Sequence, residues 1–289
     1  MVSAPDIAKL QGVVNLIKSE SERLKQYLNS LPPAALERPS PCELWNVAEV
    51  IAHLVWFAET YGGMMERGLR GDTSPTEGFP TVPGTLKGPE VDQLYGQGAI
   101  TRRRTLGENL LSAFRQTYNW LNEMLQGIGP EDWEKPCYHT RGIRPVSSFL
   151  PTIIQELAVH EWDIRSSVEP STPLSAKSIP VLMERLPRNR RPWTLPFPTS
   201  SPSSGLGRYR FHLSGVAGGN WDVVVEGDKA RMETSREGAA GLNLRGATDT
   251  FILLMYGRLK LGPTIASGRL TAEGNLDLVL DFDRWMAGH

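Results

Sequence analysis

Three side chains define the chemistry this sequence can do. Glu156 and His160 stand four residues apart in Glu156-Leu157-Ala158-Val159-His160. In a helix, residues at that spacing stack on one face, close enough to share a ligand. A carboxylate oxygen and an imidazole nitrogen suit a borderline divalent metal such as zinc. Asp163 lies three residues further along the same face. Two roles are open to it: orienting a ligating histidine, or making its own contact to whatever binds there. A Glu–His pair at this spacing also serves as a plain local hydrogen bond or an exposed pair. His53 shifts the balance. It sits among Ile51, Ala52, Leu54 and Val55, where a lone histidine is more often a hydrogen-bonded core residue than a ligand. Both segments, however, have the pattern of long helices, and bundle cores build metal sites from facing helices. His53, Glu156 and His160 together supply three ligands and leave a coordination position open, which distinguishes catalytic from closed structural sites.

The other candidates are weaker. His139 lies in an irregular stretch with Tyr138 and Arg141; an approach to the metal and a surface-loop role are both open, and the surface loop is the expectation. His212 falls in a predicted strand and His289 ends the sequence. No Gly-rich phosphate loop, Gly-x-Ser-x-Gly elbow or usefully spaced Cys–His pair is present. Two isolated cysteines, Cys42 and Cys137, make neither a Cys-type zinc site nor a disulfide framework. They fit a reducing compartment, so a cytoplasmic location is expected. The 289 residues carry a formal net charge of −1 with no basic stripe, which argues against a nucleic-acid partner. Arg102-Arg103-Arg104 is short and reads as a solvated loop or helix start. Residues 1–10 lack the regions of a secretory signal. No apolar run approaches the roughly 18 residues of a membrane span. Small molecules are the expected partners, and the sequence is silent on oligomeric state.

These residues need elements to position them. Apolar spacing predicts a first helix over residues 5–30, ended by Pro32-Pro33. A second starts at a capping box, Asn46 with Glu49, and Gly62-Gly63 marks its end or a weak point. Residues 71–98 are rich in Gly, Pro and Thr and read as a long loop. A third helix is expected over 105–125, stopped by Gly127 and Gly129-Pro130. The fourth is expected over 148–167, with Pro151 tolerated in its first turn. Four helices argue for a four-helix bundle. A Pro-, Ser- and Arg-rich segment, 169–207, follows, and a domain boundary is expected near residue 170. Beyond it, 209–213 and 221–225 read as strands joined by a Gly218-Gly219-Asn220 turn. Further strands are expected at 229–234 and 241–244. A compact helix follows over 249–256, with Thr248 as cap and Gly257 as stop.

Two segments resemble a known family. Residues Pro41-Cys42-Glu43-Leu44-Trp45-Asn46 through Ala52-His53-Leu54 are similar to the first signature of DinB-like, mycothiol-dependent maleylpyruvate isomerases: a Pro-Cys-x-x-Trp turn, a capped helix and Ala-His-Leu. Glu156 through Asp163 resembles their Glu-x-x-x-His-x-x-Asp signature. The resemblance implies a mixed α and α/β chain. A DinB-like four-helix bundle (residues 1–170) would hold a divalent metal, usually zinc, through His53, Glu156 and His160. A smaller α+β sterol-carrier-like domain (171–289) would follow. That second match rests on Gly246-Ala247-Thr248-Asp249, Tyr256-Gly257-Arg258 and the 268–274 segment. In the family isomerase a C-terminal-domain arginine assists catalysis, and Arg258 is its candidate here. A charge that complements the dipole at a helix end is an equal role for it. The long 71–98 loop and the Pro- and Arg-rich linker depart from the plain isomerase.

The leading expectation is an enzyme that uses a low-molecular-weight thiol such as mycothiol as cosubstrate. A metal, zinc or else nickel or iron, would deprotonate the thiol. The thiolate would then attack a small electrophilic, carboxylate-bearing substrate. Release of the sulfur after bond rotation makes an isomerase; its retention makes an S-transferase. Arg258 or an arginine of 71–104 would stabilise developing negative charge, and Asp163 would orient His160 or contact the thiol. Metal-assisted hydrolysis by a bound water and a non-catalytic small-ligand-binding module are the alternatives.

Overall fold

The computed structural model describes residues 4–42, 45–82, 85, 88–188, 206–226 and 229–285. Contacts divide the chain into two compact units, Met1–Thr172 and Pro173–His289.

The first unit is helical: α1 (Ala4–Ser30), α2 (Val47–Leu69), α3 (Gly88–Leu106), α4 (Leu110–Gln126) and α5 (Leu150–Ser166). Helices α1, α2, α4 and α5 form the four-helix bundle, each packing on two of the others, while α3 lies chiefly against α2. Helix α1 buries Val14, Ile17, Leu24 and Leu28, and α4 buries Leu110, Phe114, Tyr118, Leu121 and Leu125. Both stripes follow the three-and-four spacing of one helix face. Helix α2 is buried almost all round, because it has neighbours on three sides. It starts where the capping box predicts. The Asn46 side chain accepts from Glu49 N–H at 2.9 Å, and the Glu49 carboxylate accepts from Asn46 N–H at 2.8 Å.

The structure corrects three details of this half. Helix α2 does not stop at Gly62-Gly63 but runs to Leu69. A Cβ at Gly62 would lie 2.6 Å from the Trp120 indole, so that glycine lets α4 approach rather than ending the helix. The loop expected over 71–98 is shorter, since α3 begins at Gly88 and takes in Arg102-Arg103-Arg104. Helix α4 begins at Leu110 after a 3-10 turn at Gly107–Asn109, not at Thr105. The irregular stretch before α5 contains a two-residue antiparallel pair, β1 (Pro136–Cys137) and β2 (Arg144–Pro145).

The second unit is α+β: α6 (Ile179–Arg185), β3 (Leu206–Ser214), β4 (Gly219–Glu226), β5 (Lys229–Thr234), β6 (Leu242–Ala247), α7 (Thr248–Met255), α8 (Leu261–Ala266), β7 (Leu270–Gly274) and α9 (Asp277–Trp285). The sheet order is β5-β4-β3-β6-β7, with only the β3–β6 pair parallel. Helix α7 packs on β3 and β6. Phe211 meets Phe251 (ring centroids 4.6 Å), and Tyr209 meets Phe282 (5.3 Å). The expected hairpin turn sits earlier than Gly218-Gly219-Asn220, because Gly219 and Asn220 already belong to β4. Thr248 is not a cap. It is the first residue of α7, and its hydroxyl donates to Ser214 O at 3.0 Å. Gly257 stops α7 in a left-handed conformation, φ +67°, which a residue with a Cβ adopts only with strain. The Pro- and Arg-rich segment over 189–205 lies outside the described residues. No helix among the described residues is long and apolar enough to cross a membrane.

Candidate metal centre

Helix α5 carries two polar faces, and both are used. Glu156, His160 and Asp163 lie on one, Glu161 and Arg165 on the opposite one. The second face ties α5 to α1. Arg23 donates to Glu161 and Glu20, each at 2.6 Å, and Arg165 donates to Glu161 at 2.7 Å. The Arg165 guanidinium also stacks 3.9 Å from the Tyr27 ring centroid. Burial pushes the Glu161 carboxyl up despite the two guanidinium groups. This network fixes the rotation of α5, so its first face turns toward α2.

There the three expected ligands meet. His53 Nε2 lies 3.0 Å and His160 Nε2 3.3 Å from the same oxygen, Glu156 Oε2. The two imidazole rings are 4.7 Å apart and nearly edge-on, at 70°. All three side chains have ligand atoms within 4.8 Å of one another. Bond lengths of about 2.0–2.2 Å to zinc put tetrahedral ligands roughly 3.3 Å apart, close to the two nitrogen–oxygen distances here. Two neutral-capable nitrogens and a carboxylate are also the donor types such an ion selects. The residues fit a divalent metal.

Asp163 is fully buried, and its Oδ2 lies 2.8 Å from His160 Nδ1. A carboxylate there accepts the Nδ1 proton and leaves Nε2 to face the cluster. Burial alone would raise the Glu156 carboxyl, but its bonds to His160 and His53 hold it well below the usual carboxylate range. Burial likewise opposes charge on His160, and Asp163 and Glu156 overcome it, so the imidazole pKa is raised.

Aromatic rings wall the cluster. Trp45 lies 4.8 Å from the His53 ring and 6.2 Å from His160; Trp56 and Phe57 lie 6.4 and 6.2 Å from His53. Trp45 belongs to the turn before α2, whose residues Glu43 and Leu44 lie outside the described residues. From that turn Cys42 brings its sulfur within 4.8 Å of ligand atoms of His160 and Asp163, a proximity no spacing in the sequence reveals. His139 is corrected: it is buried rather than on a surface loop, bonds to Tyr61, and is absent from the ligand group among the described residues. His212 sits in β3 with its ring 2.9 Å from Asn220 Oδ1, and His289 lies outside the described residues. Arg258 follows α7 and donates to Tyr256 O at 3.1 Å.

A sequence profile of the mycothiol maleylpyruvate isomerase N-terminal domain matches residues 17–165, a span that contains His53, Glu156 and His160. The chain belongs to this family. A profile of the SCP-2 sterol transfer family matches residues 203–287, which cover the sheet of the second unit. Among solved structures, the crystal structure of a mycothiol-dependent maleylpyruvate isomerase superposes with a TM-score of 0.60 at 14% identity, over 92% of this chain and 94% of that one. A mutant of such an isomerase with one histidine replaced by alanine gives 0.59 at the same identity and coverage. At that identity the likeness is one of fold. No curated protein matches.

Proposed function

We propose that this chain is a thiol-dependent isomerase whose centre is the His53–Glu156–His160 cluster. The observation that carries the reading is the convergence of two imidazole nitrogens on one carboxylate oxygen, inside the domain whose family takes its name from such an isomerase.

His53, Glu156 and His160 hold the ion, and Asp163 keeps the His160 proton on Nδ1. When bound, a divalent ion supplies the Lewis acidity that turns a thiol into a thiolate near neutral pH. Trp45, Trp56 and Phe57 limit water around the cluster and so keep a nucleophile reactive. The reaction itself belongs to thiol and substrate. Addition of the sulfur to an electrophilic carbon–carbon double bond leaves a single bond and an enolate. Rotation about that bond, followed by expulsion of the same sulfur, gives the isomer and returns the thiol. Retention of the sulfur would be S-transfer, which uses the same nucleophile. Mycothiol, named in the structural relatives, is the first thiol to try, and maleylpyruvate the first substrate. Arg258 is the candidate for the arginine that assists catalysis in the family; on that reading Arg258→Ala is expected to lose turnover while keeping its metal, and unchanged turnover leaves it the helix-end role.

Elemental analysis of wild-type protein beside His160→Ala tests the centre. Roughly one divalent metal per chain is expected in the first and a marked loss in the second. Equal content in both removes the basis of the assignment. A product assay with and without added thiol then tests the reaction, and turnover that persists without thiol points to hydrolysis instead.

A further inference from the structure

One polar chain, about two turns along α2 from the cluster, has a direction. Arg141 N–H donates to His139 Nδ1 at 3.0 Å. A backbone amide can only donate, so Nδ1 accepts and the neutral ring carries its proton on Nε2. That nitrogen lies 3.3 Å from the Tyr61 hydroxyl, which therefore accepts. Tyr61 is buried, and its own proton has one acceptor among the described residues, the Tyr95 hydroxyl at 3.1 Å. Tyr95 thus receives a hydrogen bond from behind. Tyr95 is half-buried, and the chain leaves its own hydroxyl proton uncommitted among the described residues.

The surroundings fix where that proton is offered. His53, Phe57 and Tyr61 form one row along α2, since residues four apart share a face. Eight residues at 1.5 Å each place the two polar ends about 12 Å apart along the helix. Trp56 lies between them, 6.4 Å from His53 and 5.2 Å from Tyr95, with Phe79 stacked on it at 6.2 Å. Helix α3 rides directly on that indole: a Cβ at Gly98 would lie 2.4 Å from Trp56 Cε2. The Arg102–Glu59 ion pair holds α3 to α2 one turn further on. Tyr95 is therefore held in place by packing as well as by its hydrogen bond.

We infer that Tyr95 is the hydrogen-bond donor for an anionic oxygen of the substrate, aimed by the Arg141–His139–Tyr61 chain. On the thiol-dependent reading that ligand is an unsaturated acid, with its reactive carbon near the metal ligands and a carboxylate or enolate oxygen at the tyrosine. What happens at the metal end rests on the thiol-dependent reading; the recognition by Tyr95 does not. Tyr61 and His139 are positioning residues. They strengthen the donor through hydrogen-bond cooperativity without touching the ligand.

The test uses full-length metal-loaded protein without thiol, so it is independent of turnover. Calorimetric titration with trans,trans-muconate, a flat unsaturated dicarboxylate, is expected to show saturable binding to the wild type. A hydrogen bond to a charged group is worth enough to weaken binding about tenfold in Tyr95→Phe, with metal content and melting temperature retained. Tyr61→Phe is expected to weaken it a few-fold, and the neutral dimethyl ester should be much less sensitive to either change. Absence of saturable muconate binding to the wild type, or equal muconate affinity in folded Tyr95→Phe, overturns the inference. Turnover without thiol would instead overturn the isomerase reading and leave this one standing.

Discussion

Asp163→Asn asks whether the His160–Asp163 bond serves the metal or only the fold. The perturbation is small in shape. Asparagine keeps a side-chain oxygen near His160 Nδ1, now 2.8 Å from a carboxylate oxygen, but removes the charge that makes the imidazole a better donor to metal. Hydrogen-bond partners of metal-ligating histidines typically contribute 10–100-fold in affinity, which is about 1.4–2.7 kcal/mol. Asparagine, which still accepts the proton, should fall near the lower end. Asp163→Ala should fall near the upper end, and it also strands a buried N–H at a cost of roughly 1–3 kcal/mol in stability. The assay is competition for zinc against a chromophoric chelator at fixed pH, with thermal melting to confirm folding. The expected order of affinity is wild type, then Asn, then Ala. Zinc affinities within twofold of one another in three folded proteins would refute the reasoning, because the carboxylate would then orient nothing that the ion senses.

Two further outcomes test the framework around the site. Arg165→Ala removes one cation from the buried Glu161 carboxylate and the stacking on Tyr27; a loss of about 2 kcal/mol by urea unfolding is expected, with metal content kept in the folded protein. In the second unit, burial would raise the Asp222 carboxyl, but bonds from Arg210, Ser235 and Arg208 hold it well below the usual carboxylate range. A depressed folded pKa gives stability that is present above the unfolded value, about 4, and is lost as pH falls toward the folded value. Melting curves should therefore fall below about pH 4 in the wild type. Asp222→Asn should start lower at pH 7 and show a shallower acid limb; parallel pH profiles would contradict the assignment.

The three candidate ligands stood out in the sequence because each lies within a strong local pattern. Glu156 and His160 share one helix face, and the Asn46–Glu49 box sets the start of the helix that carries His53. The α+β character of the second unit showed in the strand-like alternation of 209–213 and 221–225 and the compact apolar helix after them. Helix α3 did not show, since its sequence mixes Gly98 and three consecutive arginines with weak apolar periodicity. It is helical because packing on α2 overrides local preference. The Tyr61–Tyr95–His139 chain escaped for another reason. Its members come from α2, α3 and the stretch after β1, and no spacing links them. Cys42 likewise meets His160 and Asp163 only through the fold. Thr248 reads as a cap by type, yet Ser214 O takes its hydroxyl.

Helix α3 leans on α2 and scarcely on the rest of the bundle. The bundle interior that gathers the ligands and the helix that bears Tyr95 thus answer to different constraints. Exchanging residues along the outer helix is expected to change the surroundings of Tyr95 without reopening the core. Divergence of selectivity within such proteins has, in this one, a cheap place to begin.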